Sequence, residues 1–352
     1  MDISLVDKNF RIETNISRPG LSFVSALDSR FSLHGVFHDG ERFLRLPRDV
    51  AERTSAGVAA LNGHTAGGRI RFVTDSPYVV IKAFIPEPAI MMHMAYTGQA
   101  GIDVYLKKDG VEKYRASIIP AYKSEPNLSY EGVIDLGEGE KELTLNMPLY
   151  QCVSQIYIGL SEGSVTRPAP KYRVDKPIVY YGSSITQGGC ASRPGMSYQA
   201  ILSRMLDADH INLGFSGNAH GELTMAEYIG TLDMSVFVLD YDHNAPTPEH
   251  LQRTHKPFFD AFRRLQPTTP VLMLGAPNEV ANREERYQII KNTFDCARAS
   301  ADRNVYFIDG RELMSICGQD GTVDGCHPTD LGFFMMAQRI YPVLNEILKN
   351  YK

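Results

Sequence analysis

Ser183 and Ser184 follow Gly182 at the end of the apolar run Ile178-Val179-Tyr180-Tyr181. A β-prone run that stops at glycine puts the next residues on a tight turn off a strand end, where a hydroxyl is exposed and firmly held. Gly188-Gly189 turns the chain again before Ser197 and Tyr198 open a helical pattern. Strand, serine turn and helix in this order present a nucleophile at the carboxyl end of a parallel strand, where open α/β sheets bind ligands. A serine hydroxyl is a weak nucleophile at its own pKa and needs a base within hydrogen-bond reach. His327 can be that base. Asp324 lies three residues earlier on the same turn, so its carboxylate can orient the ring and stabilise the imidazolium. An ordinary polar loop also reads Gly-Ser-Ser, and a capping turn also reads Asp-x-x-His, so each signal draws its weight from the other.

A regular alternation of elements must position these groups. Tyr198 to Leu206 predicts a helix with Ala200, Ile201, Met205 and Leu206 on its apolar side. Ile211-Asn212-Leu213 predicts a short strand that runs into Gly214-Phe215-Ser216-Gly217-Asn218. Val236-Phe237-Val238-Leu239 predicts a buried strand with Asp240-Tyr241-Asp242-His243-Asn244 at its carboxyl end. Thr247-Pro248-Glu249 joins a cap residue, a proline at the first helical position and an acid, and opens a helix to about Leu265. Val271 to Leu274 and Val305 to Ile308 predict strands, with a helix from Arg283 to Ala299 between them. Thr329 caps a closing helix on which Leu331, Phe334, Met335, Ile340 and Leu344 are apolar. Such β/α alternation means a parallel sheet with helices on both faces.

The first half has a different texture. Residues 1 to about 60 predict loop, short strands and one helical turn. From Gly68 the pattern is β: Arg69 to Val73, then Tyr78 to Ile85 behind an Asp75-Ser76-Pro77 turn, and Ile102 to Lys107 and Val111 to Ile118 flanking Lys108-Asp109-Gly110, a hairpin signal. Tyr130 to Leu136, Glu142 to Leu149 and Gln155 to Leu160 continue it, which predicts an antiparallel sandwich. Ser164 to Lys176, with Pro168 and Pro170, reads as a semi-rigid linker. The expected division is therefore a β-sandwich over 1–165, a linker over 166–176 and a catalytic domain over 177–352.

At 352 residues the chain exceeds the ~100–200 residues of one ordinary domain. Its 43% hydrophobic and 22% charged content describes a soluble globular protein. A net charge of −5 argues against nucleic acid or an anionic membrane as the main partner. The start, Met1 to Lys8, lacks the basic-then-apolar layout of a signal peptide, so the expected location is cytoplasmic, unless an earlier signal was trimmed. Five scattered cysteines fit a reducing compartment; Cys317 and Cys326 are a conceivable pair, with buried free thiols the stronger reading.

The polar blocks occur in a specific order. Gly182-Ser183-Ser184, Asn212-x-Gly-x-Ser-Gly217, Asp242-His243-Asn244 and Asp324-Gly-Cys-His327-Pro resemble the Ser, Gly, Asn and His blocks of the SGNH (GDSL-type) hydrolase superfamily over roughly residues 177 to 349. Ser183 stands where the family usually has Asp, and Asp242-His243-Asn244-Ala245 replaces Gly-x-Asn-Asp. Gly101-Ile102-Asp103-Val104-Tyr105 resembles the Gly-x-Asp-Leu-Tyr signature of a β-domain that precedes the catalytic domain in one branch of the superfamily, with Val104 for its leucine. By spacing alone, Asp103 and Tyr105 are a strand edge beside a hairpin, or groups that orient a substrate from the neighbouring domain.

The resemblance implies a three-layer SGNH-hydrolase-like α/β domain behind a jelly-roll-like sandwich. It selects Ser184 as nucleophile, with His327 as base and Asp324 as its partner. The backbone N–H groups of Ser184 and Gly217 and the side-chain amide of Asn244 would form the oxyanion hole. Asp240, Asp242, His243, His250 and His255 raise a metal reading, but no two-His helical pair with a third ligand emerges, so no metal or cofactor is expected. His220 and Glu222 lie close enough in sequence to the glycine block to touch substrate, though an exposed loop explains them as well. The expected activity is hydrolysis of a small acyl ester, acetyl first, on a carbohydrate. A lipase or thioesterase on longer chains, and a carbohydrate-binding protein with a dead hydrolase fold, are the alternatives. Trp is absent, which removes the strongest sugar-stacking side chain and leaves 18 Tyr and 16 Phe.

Overall fold

The computed structural model describes residues 12–108 and 110–351. Met1 to Lys8 and Asp109 of the expected hairpin turn lie outside them. The first half forms two antiparallel sheets. One has the strand order Leu21–Ser25, Gln155–Ser161, Tyr78–Ile85, Leu128–Asp135. The other runs Thr166–Pro168, Arg69–Thr74, Lys141–Asn146, Ile102–Lys108, Val111–Ile118, with Ser32–His34 also pairing onto Arg69–Thr74. Alternate residues of both sheets, among them Ile70, Phe72, Val79, Ile81, Leu143, Leu145, Ile156 and Ile158, meet in one core.

The second half is a five-stranded parallel sheet ordered Ala208–Gly214, Val174–Gly182, Val236–Asp240, Val271–Leu274, Val305–Ile308. The chain starts on its second strand, moves to one edge and returns across the other side. The order thus reverses beside Val174–Gly182, and the Ser183-Ser184 turn sits at that switch point. Strand periodicity explains the layers. Val179, Tyr181, Phe237 and Leu239 face the helices Leu223–Gly230, Pro248–Leu265 and Arg283–Ala299. Ile178, Tyr180, Val236 and Val238 face Tyr198–Leu206 and Asp330–Leu348 on the other side.

Several sequence expectations shift. The opening segment holds two helices, Arg48–Thr54 and Ala56–Leu61, where one turn was expected; Val50, Ala51 and Val58 pack with Phe215 and Met225 of the parallel-sheet half. The expected linker is not free chain: Thr166–Pro168 pairs with Arg69–Thr74, and Val174 already pairs with Ala208. On the closing helix the buried face is Phe333, Met336, Ala337, Ile340 and Leu344, while Leu331 and Phe334 are about half exposed. Met205 is likewise exposed, and Leu202 takes its place in the core. Apolar type alone does not fix the buried face, because the 3.6-residue period leaves room for a neighbouring one.

Candidate active site

Val174–Gly182 ends at the turn, and the helix Ser184–Gln187 begins there. Ser183 Oγ accepts a hydrogen bond from the Ile185 N–H at 3.1 Å, so this side chain caps the helix. Ser184 Oγ instead lies 3.0 Å from His327 Nε2. His327 Nδ1 lies 2.8 Å from Asp324 Oδ2, and Asp324 Oδ1 accepts from the backbone N–H of His327 at 2.8 Å and of Cys326 at 3.0 Å. Hydroxyl, imidazole and carboxylate therefore form one continuous chain, able to draw a proton from Ser184 while the carboxylate fixes the ring. Burial pushes the Asp324 carboxyl up, but the bonds from His327 and Cys326 outweigh it and hold the group down at about 2. His327 is held above the ordinary imidazole value, first by the Cys326 sulfur and then by Asp324, against the effect of burial.

The glycine block forms the facing wall. Asn212 Oδ1 accepts from Gly214 N–H at 2.9 Å, and its amide donates to the Thr186 carbonyl at 2.8 Å. Gly214 must be glycine, because a Cβ there would lie 2.2 Å from Gln187 N. Gln187 Oε1 accepts from Ser216 N–H at 3.0 Å and so ties the serine helix to this turn. Gly217 adopts a φ of +66°, and a Cβ built on it would meet no protein atom within 4 Å. Position 217 thus borders open space on the side a side chain would occupy. Asn244, on the short 3-10 turn Asp242–Asn244, donates from Nδ2 to the Phe215 carbonyl at 2.9 Å, which binds the asparagine turn to the glycine turn. The cap of the following helix is Thr247, whose Oγ1 accepts from His250 N–H, so Asn244 is not needed there.

The remaining acids and histidines go separate ways. Asp240 accepts from Tyr198 Oη at 2.7 Å and Thr186 Oγ1 at 2.9 Å. Asp242 pairs with Arg286 at 3.0 Å, His255 bonds Thr293, and His250 bonds the His220 carbonyl. Glu222 accepts from Tyr181 Oη and caps His220 N–H, a structural task for a residue that sequence placed near substrate. His243 Nε2 lies 3.0 Å from Cys326 Sγ. All five cysteines are free, including Cys317 and Cys326.

The first half supplies neighbours that sequence spacing did not disclose. Tyr150 Oη donates to the Ser184 carbonyl at 3.1 Å, His64 Nδ1 lies 3.0 Å from Gln187 Nε2, and the exposed His93 ring sits 5.5 Å from that of His327. Their positions depend on how the two halves dock, which no local pattern encodes. Asp103 and Tyr105 also face the junction. Their strand is interior to its sheet rather than an edge, and Asp103, fully buried, accepts from Asn146 Nδ2 at 2.7 Å and from Gly195 N–H at 2.8 Å in the other half. The signature is therefore a latch between halves, and it holds the 194–196 turn ahead of the Tyr198 helix.

Residues 175–345 match the GDSL-like lipase/acylhydrolase family, and residues 21–166 match GxDLY, the N-terminus of SGNH-hydrolase-type esterases. A Bacteroides ovatus protein described as a GDSL-like lipase is 32% identical, with a TM-score of 0.83 over 94% of this chain and 98% of the other. This chain belongs to the GDSL-like lipase/acylhydrolase family. The GDSL-like fold extends to a salicylyl-acyltransferase from a tetracycline biosynthetic pathway, 19% identical with a TM-score of 0.77 over 94% and 99% of the two chains. It extends also to a family two carbohydrate esterase from Clostridium thermocellum, solved with cellohexaose, 16% identical with a TM-score of 0.59 over 93% and 99%. No curated protein matches the chain. As a GDSL-like acylhydrolase, the protein is a carboxylic ester hydrolase. Among its described residues, no helix is long and apolar enough to cross a membrane.

Proposed function

We propose that this GDSL-like enzyme removes a small acyl group, acetyl first, from a carbohydrate through an acyl-Ser184 intermediate. The observation that carries the reading is the unbroken chain from Ser184 Oγ through His327 to Asp324. His327 takes the Ser184 proton as Oγ attacks the ester carbonyl, and returns it to the leaving alcohol. Water then attacks the acyl-serine with His327 again as base. The Ser184 and Gly217 N–H groups and the Asn244 amide stabilise the oxyanion of both tetrahedral intermediates. No step needs a metal.

Ser184 is only 5% exposed, less open than the expected exposed turn hydroxyl, and this limited access is what favours a small acyl group. Carbohydrate as the alcohol rests on the likeness to a carbohydrate esterase, and this part of the reading is analogy. The proton chain disfavours a dead fold. Free cysteines favour a cytoplasmic site of action, and the boundary between sandwich and catalytic domain falls within 166–176. Turnover of p-nitrophenyl acetate, butyrate and palmitate, beside acetate release from an acetylated oligosaccharide, tests the whole reading. Acetate should turn over fastest and palmitate slowest, with acetate freed from the sugar. A preference for palmitate would assign a lipase instead.

A further inference from the structure

Arg45 is a guanidinium sealed inside the protein, only 3% exposed, and among the described residues no carboxylate pairs with it. Its donors go to backbone oxygens. Nη1 donates to the carbonyls of Gly214 and, at 3.3 Å, of Asn212; Nη2 donates to that of Leu61 at 2.7 Å; Nε finds no partner among the described residues. The guanidinium lies 4.4 Å from the centre of the Phe215 ring. Burial lowers its pKa, the mark of a charge held at a cost. A buried, unneutralised cation is expensive, and the bond to Leu61, the last residue of the Ala56–Leu61 helix, occupies only Nη2 and leaves Nη1 to the glycine block.

What Arg45 grips is the turn that presents Gly217. Other backbone and side-chain groups of that turn already have partners: Gly214 N–H is held by Asn212, Ser216 N–H by Gln187 and the Phe215 carbonyl by Asn244. The Asn212 and Gly214 carbonyls are left to Arg45. Arg45 is itself fixed, because its N–H donates to the Asn62 carbonyl and the next residue exchanges bonds with the Asn62 side chain. We propose that Arg45, from the first half of the chain, is a positioning residue for ester hydrolysis. Its planar fork clamps the Asn212–Gly217 turn so that the Gly217 amide is aimed at the developing oxyanion, and lysine cannot replace it. The inference rests on the acyl-Ser184 reading.

The test uses the full chain, with p-nitrophenyl acetate as substrate and an alkylboronic acid, which becomes tetrahedral and anionic on a reactive serine, as inhibitor. Arg45→Lys keeps the charge but loses the fork. Its kcat should fall about tenfold with KM unchanged, and the boronic acid should bind about tenfold more weakly, because the aim of the amide matters only once the oxygen carries charge. Arg45→Met should show a larger loss of the same kind, and if it does not fold, Arg45→Lys decides alone. Full turnover and inhibitor affinity in Arg45→Lys, even with a lowered unfolding midpoint, would show a merely structural arginine and overturn the inference. With wild type active and Ser184→Ala inactive, that result leaves the acyl-serine reading standing. Activity that survives Ser184→Ala sinks both.

Discussion

At the scale of residues, the hydroxyl, the imidazole and the carboxylate are far apart in sequence and joined by bonds of 2.8–3.0 Å in space. In the proposed mechanism His327 must be neutral to accept the serine proton, and because its pKa is raised, kcat/KM should climb with pH and level off only above the ordinary imidazole value near 6.5. Below the raised pKa the ring is protonated and activity falls away. Cys326→Ala removes the largest upward influence, so its pH–rate profile should shift toward lower pH; a shift to higher pH would contradict the assignment. Asn244→Ala should lower kcat roughly 10²-fold with little change in KM. Steady-state kinetics with an unfolding curve on the same variant checks this, and unchanged kcat would remove Asn244 from the oxyanion hole. The Asp-x-x-His spacing made the His327 pair legible, since three residues on a turn suffice for a carboxylate to meet an imidazole. Cys326 and Tyr150 were not legible, because a thiol or phenol carries no spacing rule that points to a distant serine.

At the scale of elements, the serine turn separates two adjacent hydroxyls by their direction. Ser183 points into the cap and Ser184 out toward His327. Ser183→Ala should therefore cost about 1 kcal/mol of stability and leave turnover nearly intact. A shifted unfolding midpoint with wild-type kcat is the expected pair of results, and lost turnover at full stability would put Ser183 in the chemistry. The strands of the parallel sheet were readable from short apolar runs bounded by glycine and acids. The helices Arg48–Thr54, Ala56–Leu61 and Leu223–Gly230 carry no such mark in the sequence. The first two are short and gain their stability from packing on another domain's core, which local periodicity does not register.

At the scale of the whole molecule, the sandwich helps to scaffold the candidate site. Asp103 spans the junction, and burial raises its carboxyl pKa to about 6 in spite of bonds from Asn146 and Gly195. Asp103→Ala would strand both donors, so we expect a loss of ~1–3 kcal/mol, read as a lower urea midpoint. An unchanged midpoint would show that the latch is unimportant. The Gly-x-Asp-Leu-Tyr resemblance pointed to these residues, but their task depends on docking of the two halves, a relation of surfaces that are not local in sequence.

The most direct measurement is peptide mapping after treatment of the wild-type enzyme with a fluorophosphonate, followed by mass spectrometry. The account predicts one covalent adduct, on Ser184, accompanied by loss of esterase activity and absent from Ser184→Ala. An adduct on Ser183, or full activity with no adduct, would contradict it.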